Sequence, residues 1–131
     1  MSKNYPRSYA DANEVLGKQY SKSLPSVQTC IYRSTPGCIS LQYHDTDVVR
    51  WCASRNNLVR LDTGGYMTKT TKSRINAALP AGWSVYQEKF DWYIAHGEET
   101  WRWDGQPVYI DLSQKTVSDL YSFELQKEKI A

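Results

Sequence analysis

Between Gly64 and Asn76 the chain carries a run of residues suited to holding an anion: Gly64, Gly65, Tyr66, Met67, Thr68, Lys69, Thr70, Thr71, Lys72, Ser73, Arg74, Ile75 and Asn76. Two glycines let the backbone approach a ligand closely or adopt a positive φ. A helix opening at Thr68 or Thr70 would add unpaired amide N–H groups and the positive end of its dipole. The hydroxyls of Thr68, Thr70 and Thr71 and the charges of Lys69, Lys72 and Arg74 complete the donor set, with no acidic residue among them. Phosphate or carboxylate is the matching chemistry. The spacing is not that of a P-loop, because G-x-x-x-x-G-K-[ST] is absent. A well-capped surface helix with solvated lysines would give the same pattern.

Two weaker constellations accompany it. His44, Asp45 and Asp47 could hold a divalent cation, or His44 could act as a base. Strand alternation, however, would turn His44 away from both carboxylates unless the chain turns there. No metal is therefore expected. Trp92, Tyr93, Trp101 and Trp103 form an aromatic group of the kind that stacks on single-stranded nucleic acid. Their neighbours Asp91, Glu98, Glu99 and Asp104 would repel a phosphate backbone, so a protein partner or simple core packing fits better. No G-x-S-x-G, H-E-x-x-H or Cys/His arrangement is present. The expectation is a binding protein rather than an enzyme, with no cofactor.

The elements that position these residues must come from 131 amino acids, room for one domain with a real core. With 5 Trp and 10 Tyr against 2 Phe, much of the aromatic surface carries a polar handle. No apolar run is long enough to span a membrane. Cys30, Cys38 and Cys52 lack C-x-x-C spacing. Three core-filling thiols and a reducing cytoplasm are expected, although Cys30 and Cys38 flank a Thr35-Pro36-Gly37 turn that a bridge could span. Charge is unevenly spread. Residues 50–76 carry six bases (Arg50, Arg55, Arg60, Lys69, Lys72, Arg74) against Asp62, a net of +5, and residues 77–131 carry five bases against nine acids, a net of −4.

The pattern predicts an α+β fold: an antiparallel β-sheet meander with a central short helix and N- and C-terminal helices. Residues 1–8 read as a flexible arm, 10–95 as the core and 96–131 as a C-terminal extension. A short helix is expected from Ser8 to about Gly17, followed by a polar loop to Ser26. Strands follow at 28–33, 39–44, 47–52 and 58–61, joined by turns. Ile75, Ala78 and Leu79 then share one helical face, and Pro80 ends that helix. Strands 83–89 and 91–95 come next, with short edge strands at 101–103 and 108–110. Val117, Leu120, Tyr121 and Leu125 suggest a closing amphipathic helix over roughly 114–128, capped by Ser113.

The segments His44–Val49, Leu61–Asn76 and Trp92-Tyr93 resemble a family of small bacteriophage proteins. Its members share a His-x-Thr-Asp strand start, a Gly-Gly-aromatic-x-Thr-x-Thr-Thr-Lys-x-Arg-Ile-Asn run and a later Trp-Tyr pair. The resemblance covers roughly residues 10–95, and Tyr66 stands where the family usually has Trp. It brings no activity with it. It implies a phage protein acting in a bacterial host cytoplasm, by binding and inhibiting or redirecting a host factor such as a nucleic-acid-based defence complex. Direct nucleic-acid binding through 64–76, sequestration of a phosphorylated nucleotide signal and a minor virion role are the alternatives. Partners would be a host protein complex or nucleic acid, with no membrane, and a homodimer is left open.

Overall fold

The computed structural model describes residues 5–121 and 123–128. Two antiparallel sheets dominate it, so the α+β expectation is corrected to a mainly β architecture with two short α-helices. The order is α1 (Tyr9–Leu16), β1 (Ser21–Ser23), β2 (Thr29–Thr35), β3 (Cys38–Tyr43), β4 (Thr46–Cys52), β5 (Leu58–Leu61), α2 (Lys69–Ala78), β6 (Trp83–Glu88), β7 (Asp91–His96), β8 (Glu99–Trp103), β9 (Val108–Asp111), β10 (Thr116–Asp119) and β11 (Lys127–Glu128). One sheet has the order β1-β2-β3-β4-β5-β9-β10, the other β11-β8-β7-β6.

Alternation along the strands fixes which face is buried. In the larger sheet one register row runs Ile31–Leu41–Val49–Leu61–Val108 and a second runs Ile39–Trp51–Val59–Ile110–Val117. Every residue in both rows is buried. Between them lies a row facing the other way, Tyr32–Ser40–Arg50–Arg60–Tyr109, which makes that face polar. The smaller sheet contributes Val85, Trp92, Ile94, Trp101 and Trp103 to the same core, together with Ala12 and Leu16 of α1 and Ile75, Ala78 and Leu79 at α2.

Asn76 couples α2 to the smaller sheet. Its Nδ2 donates to the Val85 carbonyl at 2.8 Å, and its Oδ1 accepts the Val85 amide at 2.7 Å. Since β6 is an edge strand, one side chain supplies the pair of bonds that a neighbouring strand would make. The Arg7 guanidinium donates to the carbonyls of Asn76 and Leu79, satisfying the helix C-terminus. Tyr5 is buried, with its hydroxyl on Ser26 Oγ. Of the arm expected at 1–8, residues 1–4 lie outside the described residues, and the part from Tyr5 is anchored.

The closing helix over 114–128 is not formed among the described residues. The Asp111 carboxylate accepts the amides of Ser113 and Gln114, and Lys115 takes a φ of +57°, which turns the chain into a hairpin. β10 then pairs with β9, leaving Leu120 and Tyr121 exposed. Of the residues spaced for a helix, Val117 is buried and Leu125 packs half-buried against the core, whereas Leu120 and Tyr121 meet solvent. Residues 101–103 and 108–110 are strands, although neither is an edge: β8 lies between β7 and β11, and β9 between β5 and β10.

Cys38 and Cys52 stand directly opposite each other across β3 and β4 and form a disulfide. That corrects the expectation of three free thiols, because the register places together two cysteines that are 14 residues apart. Cys30 remains free, its thiol pushed up by burial and then by the nearby Asp47 carboxylate. Closing a loop of that length is worth about 3 kcal/mol in the chain-entropy picture. Urea melts with and without reductant should therefore differ by about 3 kcal/mol, with the far-UV circular dichroism of the folded state unchanged. Loss of the β signal on reduction would mean that the ladder depends on the bond.

Candidate functional site

The turn between β3 and β4 and the loop before α2 converge on one cleft of about 350 Å³. Tyr43, His44, Asp45, Thr46 and Val48 line one wall, and Thr63, Tyr66, Thr68 and Thr71 the other. His44 takes a φ of +54°, and its amide donates to the Gln28 carbonyl at 3.0 Å, which ties the turn to the start of β2. The His44 ring lies 4.4 Å from that of Tyr43.

The opposite wall is built by local polar bonds. Asp62 Oδ1 accepts the Gly64 amide at 2.8 Å. Thr63 Oγ1 donates to the Gly105 carbonyl at 2.8 Å and accepts the Gly65 amide at 3.2 Å, tying the loop to the crossover between the sheets. Gly64 has a φ of +63°, and a Cβ there would sit 2.4 Å from Thr46 Oγ1. Its absence is what lets the two walls meet. Thr68 Oγ1 accepts the Thr71 amide at 3.1 Å as the N-cap of α2, and the Thr68 carbonyl accepts the Lys72 amide. By helix geometry the amides of Lys69 and Thr70 are the remaining first-turn donors.

The proposed anion run thus divides in two. Tyr66, Thr68, Lys69 and Thr70 stand at or beside the cleft, with Tyr66 and Lys69 exposed and Thr70 half-buried. Thr71 is buried in its floor. Gly65 is exposed, with open space around it. The later residues are committed elsewhere. Lys72 Nζ donates to Gln87 Oε1 at 3.1 Å and sits 5.2 Å from the Trp92 ring. Arg74 Nε donates to Thr29 Oγ1 at 3.0 Å, and its guanidinium lies 5.3 Å from the Tyr43 ring. Asn76 holds β6.

His44 and Asp45 join the cleft, whereas Asp47 is drawn away from it. Both Asp47 carboxylate oxygens accept from the Tyr32 hydroxyl, at 2.9 and 2.8 Å, and Arg50 lies 3.6 Å away. Burial and then the Asp47 hydrogen bond push the Tyr32 phenol up to about 12. Among the described residues, no three His, Cys, Asp or Glu side chains gather closely enough to hold a metal ion. Trp92, Trp101 and Trp103 are buried, Trp92 and Trp103 with ring centroids 6.1 Å apart. The surface remnant of that aromatic group is half-buried Tyr93, stacked on Tyr86 at 5.2 Å. Stacking on a ligand is therefore open to Tyr93 and closed to the three tryptophans.

The basic excess of residues 50–76 forms no single footprint. Arg50 and Arg60 face outward from the larger sheet, whereas α2 packs on its inner side through Ile75 and Ala78. Tyr43, Thr46, Val48 and Thr63 were not among the residues expected at the site. The bulge that shifts the β3–β4 register between Leu41 and Gln42, the Thr63–Gly105 tie and the close approach of Gly64 to Thr46 bring them there.

The family model of the Kyanoviridae Gp96 protein matches residues 10–114, and the chain belongs to that bacteriophage family. The match runs beyond residue 95, taking in β8 and β9. No curated protein and no solved structure matches the chain.

Gly64 and Gly65 give an internal comparison. Gly64→Ala should cost about 2–4 kcal/mol, since strain at positive φ adds to a clash with Thr46. Gly65→Ala, with the same kind of φ but open space, should cost about 1 kcal/mol. Chemical denaturation of both variants checks the order, and equal losses would show that the close approach at Thr46 is immaterial.

Proposed function

We propose that this phage protein acts by stoichiometric binding, engaging a factor of the bacterial host through the cleft at the start of α2 and so blocking or redirecting it. The observation that carries this reading is the convergence of two separate stretches, Tyr43–Thr46 and Thr63–Thr71, on one hydroxyl-rich, aromatic-walled recess. Tyr66 stands exposed at its mouth, an amphipathic anchor of the type that dominates binding energy. Lys69 and the first-turn amides of α2 favour an acidic or phosphate-bearing group on the partner. A nucleic-acid-based defence complex in the host cytoplasm is a target of that chemistry.

A second reading draws on the size of the recess. A cavity of about 350 Å³ fits the lower end of small-ligand pockets. A phosphorylated nucleotide, with its base against Tyr66 or Tyr43 and its phosphate at the Lys69 and Thr70 amides, would then be sequestered. Tracking along a nucleic-acid backbone is less well supported. Lys72 and Arg74 hold internal contacts, and the arginines at 50 and 60 face the other way.

Affinity purification of the tagged chain from a bacterial host, half of it nuclease-treated, tests the proposal. A defined protein complex should survive the nuclease, and Tyr66→Ala with Lys69→Ala should reduce its recovery at least about tenfold. Material that disappears with nuclease, or recovery indifferent to both substitutions, would overturn it. Retention of a small phosphorylated compound, with a raised Tm on its addition, would favour the second reading.

A further inference from the structure

The geometry points to a second binding site, separate from the cleft: a phosphate pocket on the outer face of the larger sheet, formed by Arg50, Arg55 and Arg60. Arg50 and Arg60 are direct register partners across β4 and β5, and Tyr109 of β9 is the next residue in the same row. Like charges placed directly opposite on one sheet face destabilise the pairing. Here they are also shielded from water, with the side chains of Arg50 and Arg60 only 29% and 18% exposed. Arg55 reaches the same place from the 3₁₀ turn at Ala53–Arg55. Together with Cys52, Leu58 and Tyr109, the three arginines enclose a depression of about 70 Å³, enough for one tetrahedral oxyanion.

The counter-charges already present leave the guanidinium donors available. Asp47 lies 3.6 Å from Arg50, and Asp62 lies 4.0 Å from Arg60, both beyond hydrogen-bond reach. Arg50 Nε has a long contact of 3.4 Å with Ser40 Oγ. Among the described residues, neither the Arg55 nor the Arg60 side chain donates a hydrogen bond to a protein acceptor. Asp47 and Asp62 compensate two of the three guanidiniums, and Asp111 is held by the Ser113 and Gln114 amides. The Arg55 guanidinium, which makes no ion pair among the described residues, is left to attract an anion. Three planar forks, from β4, the 3₁₀ turn and β5, suit a phosphate, which has oxygens for each, better than a carboxylate, which one fork saturates. Asp47, Asp62 and, beside Leu58, Asp111 border the site and oppose an extended polyanion. A small phosphate monoester or free phosphate is therefore the ligand class, rather than a nucleic-acid backbone.

Inorganic phosphate, titrated into the full chain at low ionic strength with chloride as the matched control, is the first probe. Saturable binding should appear by calorimetry, with the Arg55 and Arg60 Nε–H resonances shifting. Arg55→Gln should raise Kd about tenfold, in keeping with the loss of a charged hydrogen bond. Because Arg55 is exposed on a turn, the fold should be unaffected. The Arg55→Gln, Arg60→Gln double variant should bind no more phosphate than the chloride control. A nucleoside monophosphate should bind at least as well as phosphate, and the unphosphorylated nucleoside not at all. No saturation above chloride, or binding that survives in the double variant, would overturn the site. Much tighter, steeply salt-dependent binding of an oligothymidylate would replace a small phosphate with a nucleic-acid backbone and overturn the ligand class.

Discussion

The structure hinges on a side chain that imitates a strand. Asn76 meets the edge of β6 with one donor and one acceptor, both on Val85. That pair of bonds ties α2, which packs on β3 and β4, to the smaller sheet. An amide side chain is one of the few that can do this, since it alone offers a carbonyl and an N–H group at the same end. Arg7 fixes the same helix end. With α2 so held, Ile75, Ala78 and Leu79 have a determined place in the core, and the helix start has a determined place against the β3–β4 turn.

This explains why one contiguous run serves two ends. Its second half, from Lys72 to Asn76, is occupied with Gln87, Trp92, Thr29, Tyr43 and Val85, so those charges and amides act mostly within the molecule. Its first half, Gly64 to Thr71, shapes a recess. The glycine needed there is Gly64, because Thr46 occupies the space a side chain would fill. Motif density along a sequence therefore overstates the ligand surface: three of the residues that looked best placed to contact an anion are struts.

The sequence carried the local decisions well. Ser8 caps α1, Thr68 caps α2, and Ile39 and Leu41 of the strand expected at 39–44 are both buried. It carried the long-range decisions poorly. Nothing local distinguishes Val117, which meets the core, from Leu120, which does not, so the helical spacing over 114–128 does not reveal the hairpin that Asp111 and Lys115 turn. The pairing of Cys38 with Cys52, the union of His44 with Tyr66 and the meeting of Arg50 with Arg60 all follow from register across neighbouring strands. Register is set by the whole buried pattern and by bulges, and no single segment reveals it. The buried tryptophans mark the same limit, since composition alone does not say whether an aromatic faces core or solvent.

Hydrogen exchange of the Val85 amide tests the central claim most directly. An edge-strand amide facing water exchanges readily, whereas one held by Asn76 should share the protection of interior strand amides. Asn76→Ala should lower that protection by roughly ten- to a hundredfold, in line with the loss of a buried bond. Interior amides of the larger sheet, such as Val49, should change less. A Val85 amide that exchanges rapidly in the unmodified chain, or one indifferent to the substitution, would contradict the account of Asn76 as the strut between the two sheets.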